Sequence, residues 1–394
     1  MVATLGLAVA AVPVFLTGAL APEVRTDLAL SETVLGAAVS TFFVVAGVGS
    51  VPGGRLADRV GDGQAIRIGS AVTAVALLVL ATAQSAVQLV VGLGVGGLGI
   101  AVAEPGTAMV LARGVRSSRQ GLAFGIKEAA IPTATLLAGA AVPTVALTAG
   151  WRWAYLVPLV GVAALWMAAP HRIEQRAEAP SPPPPAPRTA AVPRSFVIVA
   201  LGAGLALGAM NAVGTFLVDS AVSIGIAPGT AGGLLVVGGA VGIAARLGIG
   251  VATDRLDAPR RPTGRDGPGG RPQGWSPLIA TAALVAGGAI ALALLGVATA
   301  SGSSVALVAG TIGAFGVGWA WTGLYFLAAV RVSPDAPGAG TGVAMAGISA
   351  GAAVGPLLFG AAAGRWSYTV AWVGAAAMMA VASSVVLAGA RRLR

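Results

Sequence analysis

Apolar residues fill this chain in long unbroken runs, set apart by short clusters of Arg, Asp, Pro and Gly. A helix rising about 1.5 Å per residue needs about 20 mainly apolar residues to cross the hydrocarbon core of a bilayer. Twelve stretches meet that requirement, at about 2–22, 33–54, 64–83, 86–111, 121–148, 152–169, 195–218, 229–251, 276–299, 303–330, 340–363 and 367–390. Barrel strands would alternate apolar and polar residues over about ten positions, and these runs are too continuous for that. The pattern predicts twelve transmembrane helices. The first run contains a small-x-small pattern, Ala19-Leu20-Ala21, but no basic residue precedes Arg25, so it is expected to stay as a span and not to act as a signal peptide.

Composition agrees with the periodicity: 56% of residues are hydrophobic and 10% charged, against about 25% charged in ordinary soluble domains. The net charge of +10 finds its explanation in topology. With the N-terminus in the cytoplasm, nineteen arginines fall in inner loops and the C-terminal tail, and three, Arg25, Arg152 and Arg365, in outer ones. That bias predicts cytoplasmic termini. Arg outnumbers Lys 23 to 1 amid abundant Ala, Gly and Pro, a coding bias of GC-rich bacterial genomes, so a bacterial plasma membrane is the expected location. No aromatics interleave with the arginines, which argues against a nucleic-acid partner. The absence of cysteine excludes disulfides, thiolate metal sites and cysteine nucleophiles. With no metal-ligand cluster and no nucleophile-base set, neither a cofactor nor an enzyme activity is expected.

The longest interruption, "HRIEQRAEAPSPPPPAPRTAAVPRS", follows six spans and holds the only histidine, His171, as a solvated residue. Its proline run suits a semi-rigid linker. The expected organisation is a six-helix bundle over 1–170, a cytoplasmic linker over 171–194 and a second six-helix bundle over 195–394. An internal repeat supports that division. "GRLADRVG" matches "GVATDRLD", with Gly54, Asp58 and Arg59 onto Gly250, Asp254 and Arg255 at an offset of 196 residues. "GIKEAAIP" from Gly125 matches "GVAMAGIS" from Gly342 at an offset of 217, so 21 residues are inserted between these landmarks. The Gly-, Pro- and Arg-rich stretch 257–276 is the insertion, expected to be disordered beside anionic lipid.

Six plus six parallel-repeat spans, a long central inner loop and a Gly-x-x-x-Asp-Arg-x-Gly motif after span two resemble the major facilitator superfamily of secondary transporters. The residues that carry the resemblance are Gly54, Asp58, Arg59 and Gly61 with their echo at Gly250, Asp254 and Arg255. It implies two pseudo-symmetric six-helix bundles in a monomer, alternating access, and a role for these seven residues in holding the cytoplasmic gate closed in the outward-facing state. Gly54 is expected to allow close helix approach, and Asp58 to meet arginines or a helix N-terminus. The chain departs from the pattern at Asp62, Gly63 and Gln64, where the motif's closing basic pair is missing, and at Leu93, where proton-coupled drug antiporters carry arginine.

Four charges lie deep inside spans: Glu104, Lys127, Glu128 and Arg246, with a formal sum of zero. Each costs at least about 2.5–3.5 kcal/mol to insert and so should face a wet cavity and find partners. Lys127 and Glu128 are consecutive, about 100° apart on a helix, so each is expected to pair elsewhere; the span packing of the resembled superfamily, five against eight and four beside five, implies Glu128 with Arg246 and Lys127 with Glu104. A second surface comprises Asn211 in span seven and Trp321 with Tyr325 in span ten, with Trp319 and Phe326 elsewhere on that helix. Carriers of oxalate, formate and monocarboxylates in the resembled superfamily use a similar mid-membrane arginine, which implies an anionic solute. The expected function is proton-coupled transport of a small organic solute, a carboxylate by preference, with Glu104 or Glu128 carrying the proton; the alternative is proton-driven efflux of a hydrophobic compound or drug.

Overall fold

The computed structural model of the chain describes residues 2–114, 125–168, 192–257, 276–333 and 337–393. Most of the linker and of the insertion, with His171, lies outside the described residues. Thirteen helices follow in order: α1 Val2–Ala19, α2 Ala21–Leu28, α3 Glu32–Val60, α4 Asp62–Ala81, α5 Ala86–Gly114, α6 Gly125–Ala149, α7 Trp151–Met167, α8 Arg194–Ser223, α9 Pro228–Asp257, α10 Pro277–Ser301, α11 Ser304–Val332, α12 Pro337–Arg365 and α13 Tyr368–Arg392. Ten of them are long and apolar enough to cross a membrane, α7 is a shorter apolar helix, and α1 with α2 forms one further pair. The twelve predicted spans are thus each occupied by helix.

The first span ends earlier than its hydropathy suggests. The chain bends by 65° between α1 and α2, and Pro22 sits in the first turn of the new helix, where its missing N–H and fixed φ do least harm. Beyond the bend α2 carries Glu23, Arg25 and Asp27, so it lies across the end of the bundle instead of extending the span. Two helices contain π-helical turns, Val142–Ala146 within α6 and Ala314–Gly318 within α11. The repeat is visible in the helix starts: α3 begins at Glu32 and α9 at Pro228, separated by the same 196 residues as their motifs.

Successive spans alternate in direction, so both chain ends share one face, the terminal face, and α2 caps the other, the far face. The halves of the chain meet in a tight seam towards the far face. A Cβ on Gly18 of α1 would lie 2.1 Å from the Gly214 carbonyl oxygen of α8, and one on Gly36 of α3 would lie 2.4 Å from that of Pro356 in α12. Backbones come this close only where a side chain is missing. One turn further along, the Leu357 amide donates to Ser40 Oγ at 3.1 Å. Towards the terminal face α3 leaves the seam, and no heavy atom lies within 4 Å of a Cβ built on Gly54.

The candidate site: a central cavity with a charged layer

Where the helices diverge they enclose a cavity of about 330 Å³, within the 300–1,000 Å³ range of small-molecule sites. Its walls come from the middle and the terminal-face halves of the helices, and are mostly apolar, with Phe42 and Phe43 of α3, Ile100 of α5 and Met345 of α12 among them. Glu104, Lys127, Glu128, Asn211 and Arg246 all line it, so the structure gathers five of the seven sequence-predicted binding residues around one space.

Lys127 is the centre of the charged layer. Its Nζ lies 3.4 Å from Glu104 Oε1 and 3.7 Å from Glu128 Oε1, and the residue is only 8% exposed. The expected pairing with Glu104 is present. The pairing with its neighbour was not expected: a hydrogen-bonded turn at Ala129 interrupts α6 just after Glu128, and two long side chains can span the 100° between them. Glu128 also accepts a hydrogen bond from Thr322 Oγ1 at 3.1 Å, joining the two halves of the chain across the cavity.

Arg246 does not form the ion pair with Glu128 that the family resemblance implies. Its Nη2 donates to the Trp319 carbonyl at 2.9 Å and its Nη1 to the Gly242 carbonyl at 3.4 Å, with the guanidinium 6.0 Å from the Trp319 ring centroid. At 4% exposure this cation hydrogen-bonds to carbonyls only, its Nε has no hydrogen-bond partner, and the Glu128 carboxylate acts on it through space without closing to an ion pair. Asn211, 5% exposed, likewise has an Nδ2 without a partner. An unmet buried donor costs about 1–3 kcal/mol, and both of these residues line the cavity.

Trp321 and Tyr325 do not line the cavity. Both are completely buried, Tyr325 donating to the Ala344 carbonyl at 3.1 Å and stacking on Phe196. The cavity face of α11 carries Trp319, Thr322 and Phe326 instead. Positions 319 and 326 are seven apart, two helical turns, and therefore share a face, whereas 321 is turned about 200° from 319. Spacing puts Trp321 and Tyr325 on one face but does not say which face points inward; the π-helical turn lies just before these residues and the break at 319–321 among them.

The motif residues lie on the terminal face. Asp58 and Arg59 are exposed and make no ion pair among the described residues. Close helix approach falls to Gly53, whose Cβ would sit 2.2 Å from the Ala101 carbonyl oxygen, rather than to Gly54. Gly61 terminates α3 at φ 84°, a conformation that favours glycine. In the repeat, Gly250 passes close to Gly125, its Cα 3.7 Å from a Cβ built there; Asp254 is half-buried and Arg255 exposed. If the motif braces the terminal face only when that face closes, Asp58→Asn should leave folding and membrane insertion intact while cutting turnover at least tenfold, measured as initial uptake rate per inserted protein. Normal turnover in well-expressed variant protein would sink this role.

The far face is tied shut by a cluster of ion pairs and hydrogen bonds that the sequence analysis missed. Arg25 on α2 donates through Nε to the Leu30 carbonyl at 3.2 Å, through Nη2 to Glu32 at 2.5 Å, and through Nη1 to Asp219 of α8 and to the Tyr368 hydroxyl of α13. The Tyr368 hydroxyl in turn donates to Asp219. On the same helix Asp27 pairs with Arg152 of α7 at 2.7 Å and accepts from Trp151 Nε1 at 3.2 Å. Helix α2 therefore ties the two halves of the chain together at the closed end. Counting Arg25 only as an outer-loop charge hid this; the available signal was three charges within five residues, Glu23 to Asp27, and an aspartate at the far end of span seven.

Comparison with known proteins fits this architecture. The family sequence model of the Major Facilitator Superfamily matches residues 3–306. Among solved structures, a bacterial homolog of the human lysosomal transporter Spinster in an inward-facing, occupied conformation aligns at a TM-score of 0.74 with 14% identity, over 99% of this chain and 96% of that one. The same homolog in an inward-facing, unoccupied conformation aligns at 0.69 with 13% identity, over 100% and 95%. A D-xylose-proton symporter aligns at 0.72 with 14% identity, over 98% and 95%. No curated protein matches by sequence. With a bundle of apolar helices around a charged central cavity and a family match over most of its length, the chain belongs to the Major Facilitator Superfamily and is a multi-pass membrane transporter, not an enzyme.

Proposed function

We propose that the protein is a proton-coupled secondary transporter that carries a small organic carboxylate with an apolar body across a bacterial plasma membrane. The observation that carries this reading is the pair of buried, unpartnered donors, Arg246 Nε and Asn211 Nδ2, on residues that line a mostly apolar cavity. A carboxylate has two acceptor oxygens for these donors and a charge that can pair directly with Arg246, which Glu128 reaches only through space, and the aromatic and aliphatic walls suit a hydrocarbon body.

Charge balance supports the coupling. Glu104, Lys127, Glu128 and Arg246 sum to zero, so an incoming anion leaves the layer one negative charge in excess. A proton on Glu104 or Glu128 restores neutrality, which matters in a low-dielectric site. On this reading the bundles 1–170 and 195–394 rock about the cavity as a monomer, joined by the linker 171–194, with the terminal face cytoplasmic and the seven motif residues bracing it when it closes.

The test is uptake of straight-chain carboxylates of increasing length into vesicles holding the purified protein, with and without a pH gradient. Uptake should saturate, should accelerate with acid outside, and half-saturating concentrations should fall roughly fourfold per added methylene until the cavity is full, since burying a CH₂ contributes about 0.8 kcal/mol. If no carboxylate is carried while neutral hydrophobic compounds are expelled, the alternative of proton-driven efflux replaces it.

A further inference from the structure

The far-face hub contains one guanidinium and, around it, more carboxylates than it can satisfy. Every donor group of Arg25 is committed: Nε to a backbone carbonyl, Nη2 to Glu32, and Nη1 to Asp219 and Tyr368. Glu23 is the carboxyl left over. Two residues before Arg25 on α2, it points about 200° away around the helix, and its two oxygens, both buried, find no side-chain partner and have only the residue's own backbone N–H nearby. An ionised carboxylate in such a place keeps its full desolvation cost, while a protonated one loses most of it.

We propose that Glu23 is a proton-binding site of the far-face gate: its carboxylate takes a proton from the water at that face as the two halves close, and returns it as they part. Closing buries Glu23 and brings Asp219, held by Arg25, into its neighbourhood; opening hydrates it again. Burial, with the Asp219 charge adding to it, raises the Glu23 carboxyl above the ordinary glutamate range, partly offset by a backbone hydrogen bond. Other titratable or charged groups around α2 are Arg25 and Asp27 on the helix itself, Glu32 at the start of α3, Arg152 and Tyr155 on α7, Asp219 on α8, Arg365 at the end of α12 and Tyr368 at the start of α13.

The sign follows from linkage. A group that binds its proton more tightly in the closed state favours closure below its open-state pKa, and that advantage is lost as pH rises through its closed-state value. Acid outside would therefore drive the far face shut. Protonating Asp219 or Glu32 would do the reverse, because it loosens the grip of Arg25, so the direction of the pH profile separates the two. This inference does not depend on which solute is carried and is tested without one.

The chain has no cysteine, so spin labels placed at Gln84→Cys and Ser301→Cys, both exposed at the far face on opposite halves, report the opening alone. In nanodiscs, inter-label distances would be measured from about pH 4 to about pH 9, spanning ordinary and raised carboxyl pKa values. The wild type should lose its short-distance population as pH rises, the closed-to-open ratio changing by at most about tenfold per pH unit for one proton. Glu23→Gln should stay closed across the range, and Glu23→Asp should keep the dependence with a displaced midpoint. A wild-type distribution that ignores pH, one that opens in acid, a Glu23→Gln profile equal to wild type, or an unmoved midpoint in Glu23→Asp would each overturn the assignment.

Discussion

Arg246→Gln is expected to abolish solute binding and transport together while leaving a folded, membrane-inserted protein. Glutamine ends two bonds short of the Nη2 that now holds the Trp319 carbonyl at 2.9 Å, but it is neutral and polar, so it removes the cation without leaving a buried charge in its place. Removing one side of a buried charged contact costs about 2–5 kcal/mol, a loss of affinity of about thirtyfold or more. Arg246→Lys should recover part of the activity, because an ammonium restores the charge but not the paired, fork-like donors. Binding by calorimetry alongside vesicle uptake separates a lost solute site from a slowed conformational step. The double variant Arg246→Gln, Glu128→Gln decides between a solute site and a structural ion pair. Glu128 is already held by Lys127 and Thr322, so neutralising it should not rescue Arg246→Gln. Rescue would mean that the two charges serve only each other.

Gly18→Val is expected to hold the far face open and stop turnover. The Cβ would fall 2.1 Å from the Gly214 carbonyl oxygen, far inside van der Waals contact, and the obstacle is backbone on both sides, so no rotamer relieves it. Because Gly18 and Gly214 belong to different halves of the chain, the clash arises only when the halves close, and each half can fold unhindered. Gly36→Val, facing the Pro356 carbonyl oxygen at 2.4 Å, should behave alike. The labels at Gln84→Cys and Ser301→Cys would report long distances at every pH, with uptake at background. A variant that transports normally would show that the seam is not obligatory for the cycle.

Much of this architecture could be read from the chain because bilayer physics leaves few alternatives. Long apolar runs must be helices, and charges such as Glu104 and Lys127 can survive inside them only by meeting, as they do at 3.4 Å. The features that escaped prediction depend on rotation or on contact between distant segments. Hydropathy cannot show that α1 breaks before Glu23, that Gly53 rather than Gly54 meets a backbone, or that Arg25 bridges to Asp219. Nor does helical spacing fix the absolute rotation of α11, which decides that Trp319 faces the cavity and Trp321 does not.

The π-helical turn at Ala314–Gly318 gives that rotation an evolutionary meaning. A π turn accommodates one residue more than an α turn, so losing a single residue there would restore regular helix and swing everything beyond it by about 100°. Trp319, Thr322 and Phe326 would leave the cavity wall and other side chains already present in the helix would replace them. A one-codon deletion could thus exchange an entire recognition surface at once, without altering a single amino acid that contacts the solute. Lineages descending from such a protein would diverge in substrate by changes of length as readily as by substitution.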